Sequence, residues 1–237
     1  MKLQPKAVQK VSNLLLWVLI ALEVFLTIIY LAGIVLTGKA YPAFDMDGQM
    51  TVPSLLQALQ LFLIGFISLN LFISQRHSSQ RPSRFFLLTI GLLFIYGGVD
   101  EIFKIHLQLH ALLRTPHNRD WMIGYLAIGL TTLVVFYKDF WAIWHFHRKS
   151  TFLVALGMSI FFLGGFGSEV LKVLVLQPLL SQIYQQGDLI PVVVEKSRVA
   201  VEEFSEMLGE SITLYGLFLY VAKRLLEKEP LSSTIKQ

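Results

Sequence analysis

Residues 199–222, VAVEEFSEMLGESITLYGLFLYVA, decide how this chain is read. The second half of the stretch is apolar and aromatic. The first half carries Glu202, Glu203, Glu206 and Glu210. At 100° per residue the four glutamates fall within about a 100° sector of one helix face. An ionised side chain inside a bilayer costs about 2.5–3.5 kcal/mol even on the mildest scale. Four on one face cannot stay bare against lipid. They need protons, cations, basic partners or water, so the stretch reads as a membrane span with its chemistry turned inward.

The rest of the chain reads the same way. Its 237 residues are 54% hydrophobic and only 15% charged, where a soluble domain carries about 25% charge; the mean hydropathy is +0.61. Apolar runs occupy 12–37, 54–74, 84–109, 121–137 (extending to 144), 151–176 and 199–222. Each reaches the ~17 residues needed to cross a hydrocarbon core. The expected fold is all-α: an integral membrane helical bundle of six transmembrane helices. It forms a single transmembrane domain over 1–237, with a flexible tail at 230–237. Lys2, Lys6 and Lys10 precede the first run, but that run far exceeds the roughly 7–15 apolar residues of a signal peptide, so an uncleaved anchor is expected.

Lysine and arginine set the orientation. With the N-terminus inside, thirteen basic residues fall in inner segments, among them Lys10, Arg76, Arg81, Lys138, Arg148 and Arg224. Five fall outside: Lys39, Arg114, Arg119, Lys196 and Arg198. Both termini are therefore expected in the cytoplasm, with Trp141 and Trp144 at the inner interface and Trp121 at the outer one. His145 and His147 read as interfacial. The lack of cysteine excludes disulfides and iron–sulfur clusters. The net charge of +4 sits at helix ends and does not point to nucleic acid. No phosphate-binding loop, Gly-x-Ser-x-Gly or His-Glu-x-x-His occurs, which argues against a nucleotide-driven pump and a conventional serine or zinc protease.

Residues 83–98 align without gaps on 150–165, with a serine, two phenylalanines and two glycines coinciding. This suggests a duplicated hairpin, spans 3–4 repeated as spans 5–6. Asp45-Met46-Asp47-Gly48 reads as an ordinary turn, because Leu56 stands where a calcium loop needs its glutamate. Gln177 to Arg198 is expected outside, capping the mouth of the bundle.

Ionisable groups gather at one depth. Spans 3 and 5 run outward and span 6 inward. Asp100, Glu101, Lys104, Glu169, Lys172 and the four glutamates thus all lie in the outer half. Seven carboxylates face two lysines, so several carboxylates remain after pairing. Carboxylates with one or two imidazoles suit iron, manganese or zinc. The expected metal ligands are Glu101, His106, Glu203 and Glu206, with Asp100, Glu169, Glu210 and Glu202 as further candidates. Lys104, Lys172 and His110 would stand behind them and orient them. Haem and nucleotide are not expected. Glu23, alone in span 1, joins this site from below or bonds to Gln57 or Gln60.

Asp100-Glu101-x4-His106 and Glu202-Glu203-x2-Glu206-Met207-x-Gly209 resemble the motifs of an uncharacterised family of bacterial polytopic membrane proteins. The resemblance departs at Leu107, where that pattern has glutamate. It implies a bacterial cytoplasmic (inner) membrane and one joint site of Asp100, Glu101, His106, Glu203 and Glu206, and it carries no known activity. Three functions stay open at this point. The site binds a metal cation, with catalysis undecided and no catalytic residue assigned. It carries proton- or cation-coupled transport. Or the chain is a non-catalytic assembly or sensory subunit. The expected partners are the lipid bilayer and either further copies of the chain or another membrane subunit.

Overall fold

The computed structural model describes residues 5–75, 82–113, 120–179 and 189–228. Among them the regular structure is all helical. Helix α1 spans Pro5–Thr37 and α2 Val52–Ser74, joined by a short turn of helix at Pro42–Phe44. Then come α3 (Arg84–Phe103), α4 (Ile105–Leu113), α5 (Asp120–Val135), α6 (Tyr137–Phe146) and α7 (Arg148–Leu171). The end of α7 continues through a π-helical turn, Lys172–Leu176. The last helix, α8, runs from Leu189 to Lys228.

Local chemistry sets these boundaries. A reciprocal capping box starts α2: Ser54 N–H donates to Thr51 Oγ1, and Thr51 N–H donates to Ser54 Oγ at 2.9 Å. Ser83 caps α3 by accepting from Phe86 N–H. Asp139 of α6 in turn accepts from Ser83 N–H at 2.6 Å and from its hydroxyl at 3.0 Å, fastening α6 to the start of α3. Asp45 accepts from Asp47 N–H, and its carbonyl from Gly48 N–H, so the Asp45–Gly48 stretch is the expected turn.

α1, α2, α3 and α7 are long and apolar enough to cross a membrane, and α5 with α6, bent by 66°, makes a fifth crossing if taken as one. At 40 residues α8 is long enough, about 60 Å, but its glutamates keep it below that apolarity. Expected span 3 is interrupted. Lys104 adopts the left-handed conformation, φ 45° and ψ 49°, and separates α3 from α4. A side chain there costs about 1–2 kcal/mol.

α8 packs along α7 and α1 and touches α2, and α2 packs along α3. Glycines permit the closest approaches. Gly91 faces Leu69 and the Gly65 carbonyl between α2 and α3, and Gly157 faces the Gly209 carbonyl between α7 and α8. Gly91 and Gly98, Gly157 and Gly164, and Gly209 and Gly216 are each seven apart, the repeat of a left-handed seam. The main partner of α3 is thus the helix before it, and that of α7 the helix after it. The packing does not reproduce hairpin 3–4 as a copy of hairpin 5–6. Large apolar side chains such as Trp17, Phe25, Phe66 and Leu163 point outward, while Glu23, Gln57 and Gln60 are fully buried. An apolar exterior around a polar interior suits a hydrocarbon solvent.

Candidate functional site

The ionisable groups of three helices meet where α3 and α7 finish and α8 begins. Arg198 is the hub of the α7–α8 part. Its guanidinium donates to Glu202 at 2.5 Å, to Ser168 at 2.8 Å and to Glu195 at 3.0 Å, and lies 3.5 Å from Glu169. Lys172, at the π-helical turn, pairs with Glu195 at 2.8 Å and Glu169 at 3.8 Å. Burial pushes the Glu195 carboxyl up, but hydrogen bonds from Arg198 and Lys172 outweigh it and hold the group below its usual range. Glu169 and Glu202, candidate metal ligands on sequence, are held by these two cations. The sequence reading treated Arg198 only as a topology charge. Its spacing of three from Glu195 and four from Glu202 was the available signal.

The break after α3 builds the second part. Folding back in the left-handed conformation, Lys104 donates to Glu101 at 2.8 Å and lies 3.8 Å from Glu203 of α8. An ammonium therefore stands between two of the expected metal ligands. Asp100 accepts from both His106 N–H and His106 Nδ1 at 2.7 Å, capping the first turn of α4 and fixing the imidazole. The ring also lies 4.6 Å from that of Trp121. His106 thus serves the local turn. Among the described residues no group of three or more histidines and carboxylates is placed to hold a metal ion. The His110 side chain lies outside the described residues. Asp100→Ala is expected to destabilise the protein by about 1–2 kcal/mol through loss of this cap. Thermal unfolding in detergent checks this, with His106→Ala, which keeps the backbone bond, less damaged.

The third part is the acidic face of α8. Glu203, Glu206 and Glu210 descend into the bundle, and Glu202 to Glu210 covers about 12 Å of helix. Glu206 accepts from Gln57 of α2 at 3.3 Å, and its other oxygen occupies the space where Gly165 of α7 lacks a Cβ. Glu210 is 2% exposed and neither of its oxygens has a hydrogen-bond partner among the described residues; Glu203 Oε2 is buried likewise. Below them α1 contributes Glu23. It accepts from Gln60 of α2 at 2.9 Å and from Ser211 of α8 at 2.6 Å. Of the two partners the sequence suggested for Glu23, Gln60 is the one observed. Ser211 was not anticipated, although it follows Glu210 on the same helix.

A family model described as a domain of unknown function, DUF8692, matches residues 14–221. The chain belongs to this family. That agrees with the expected membership of an uncharacterised family. No curated protein and no solved structure matches the chain.

Proposed function

We propose that this is a six-span protein of a bacterial cytoplasmic membrane that takes up protons from the outer side into the α8 carboxylates, in the service of proton-coupled transport. One observation carries the reading. Buried carboxylate oxygens at Glu203, Glu210 and Glu23 have no donor among the described residues. The cations near them, Lys104 and Arg198, are already shared with Glu101, Glu195 and Glu202. Carboxylates in that state must gain protons or cations. The length of α8 and the inward turn of its glutamates support counting it as a span, and the basic inner segments support placing both termini in the cytoplasm.

Iron, manganese or zinc at Glu101, His106, Glu203 and Glu206 is the competing reading. It is less favoured, because Lys104 stands between Glu101 and Glu203, where a metal would have to displace an ammonium. The test is proton uptake by the reconstituted protein after an external acid jump, followed by infrared spectroscopy of the carboxyl groups. Wild type is expected to show a titrating protonated-carboxyl band and to acidify the vesicle lumen. Glu206→Gln is expected to slow that acidification at least tenfold. Carboxylates ionised throughout, with no proton movement, would overturn the proposal. Stoichiometric metal lost in Glu203→Gln/Glu206→Gln would replace it with the metal reading.

A further inference from the structure

Glu23 lies on α1, outside the acidic face of α8, and its surroundings differ from those of the other carboxylates. Glu23 and Gln60 are 0% exposed and Ser211 is 1% exposed. Their hydrogen bonds close a knot among three helices. Gln60 Nε2 donates to Glu23 Oε1 at 2.9 Å and to Ser211 Oγ at 2.7 Å, and Ser211 donates to Glu23 Oε1 at 2.6 Å. Every donor in the knot is thereby used. Two acceptors are left over, Glu23 Oε2 and Gln60 Oε1, neither with a partner among the described residues. An unmatched buried acceptor forfeits the hydrogen bonds that water would give it, and a bare buried carboxylate forfeits more. Among the described residues no basic side chain contacts the knot: α2 presents Gln57 and Gln60, and Glu210 of α8 lies within electrostatic reach of Glu23.

We propose that Glu23 is the deep proton-binding site of the protein, a neutral carboxylic acid whose Oε2–H pairs with the Gln60 amide oxygen. A single proton corrects the count, because it turns one leftover acceptor into the donor that the other lacks. A carboxylic acid and a primary amide have matching donor–acceptor edges, and Gln60 already holds the first edge through Nε2. Glu210, the residue before Ser211, is the neighbour from which the proton arrives and to which it returns. No bond other than O–H changes in this transfer: the carboxyl of Glu210 loses H⁺ and the carboxylate of Glu23 gains it. The site deepens the proton-handling reading and rests on it. It predicts that α1 packs against α8 most tightly when Glu23 carries its proton.

Isosteric replacement tests this, because a glutamine at position 23 reproduces the neutral acid edge for edge. Glu23→Gln is expected to fold, to unfold no earlier than wild type at neutral pH, and to lose one protonated-carboxyl infrared band. Glu23→Asp, one methylene shorter, is expected to shift that band and lower the melting temperature. In Ser211→Ala, which removes a donor to Oε1, the band is expected to move but persist. A band unchanged in Glu23→Gln, or a Glu23→Gln protein that fails to fold, would overturn the assignment to Glu23. Sodium-dependent stabilisation of wild type that vanishes in Glu23→Gln would make Glu23 a cation ligand instead, and also overturn it. These outcomes leave the wider reading standing if Glu206→Gln still stops acidification. That reading falls separately if wild type moves no protons.

Discussion

Lys104→Met is expected to destabilise the protein by about 3–5 kcal/mol, the usual loss when one partner of a buried ion pair is removed. Lys104 is 5% exposed and is the cation shared by Glu101 and Glu203, on two different helices. Methionine fills a similar volume, so packing is nearly kept and the loss is electrostatic. The two carboxylates would then face each other without a counter-charge. Adding Glu101→Gln and Glu203→Gln to Lys104→Met should restore most of the folded yield, because a neutral set removes the stranded charge. The matching change at Lys172 should be much milder. That side chain is 24% exposed, and its partner Glu195 is also held by Arg198. The measurement is thermal unfolding of the three variants in detergent, beside wild type. Equal losses for Lys104→Met and Lys172→Met, or no recovery in the triple variant, would show that Lys104 does not balance this charge. Its left-handed backbone would then be its whole contribution, and Lys104→Gly would be stabilising.

How much of this was legible in the sequence follows from which forces act locally. Apolar run length is a local property, so the helical membrane class and four to five spans were readable from composition. The gathering of Asp100, Glu101, Lys104 and the α8 glutamates was readable from helix direction and the 3.6 period. The break at Lys104 was not. Nothing in Ile102-Phe103-Lys104-Ile105 signals a left-handed residue, and the break goes with one tertiary partner, Glu203, and one local one, the Asp100 carboxylate that caps α4. The arrangement of the candidate metal ligands was hidden for the same reason. Sequence spacing placed Lys104 near the carboxylates but could not say that it would stand between Glu101 and Glu203, nor that Asp100 would claim both donors of His106. Glu23 was visible as an oddity in an apolar run. Which amide answered it depended on the register of α1 against α2 and α8, and only the fold supplies that.

Gly157→Leu is expected to prevent α7 from docking on α8, and even Gly157→Ala to cost about 1–3 kcal/mol, as overpacking does. A Cβ at Gly157 would lie 2.5 Å from the Gly209 carbonyl oxygen and 2.7 Å from Thr213 N, and one at Gly209 would lie 2.6 Å from the Gly157 carbonyl oxygen. The Thr213 hydroxyl, which is also in the way at Gly157, could turn aside, but the backbone atoms cannot, so no rotamer change relieves the clash and the helices must move apart. The same seam holds Glu206 in the space beside Gly165, so widening it loosens the acidic face as well as the fold. The control reverses the sign. At Gly129 a Cβ meets nothing closer than 3.9 Å, and at Gly124 nothing within 4 Å. Glycine in a helix interior is about 0.8–1.0 kcal/mol worse than alanine, so Gly124→Ala and Gly129→Ala should be neutral or stabilising. Unfolding by a denaturing detergent, scored for all four variants, checks this. Alanine effects of the same sign at Gly157 and Gly129 would mean that α7 and α8 are not in backbone contact. The depth at which α8 holds Glu206 and Glu210 would then have to come from the ion pairs at Arg198 and Lys104 alone.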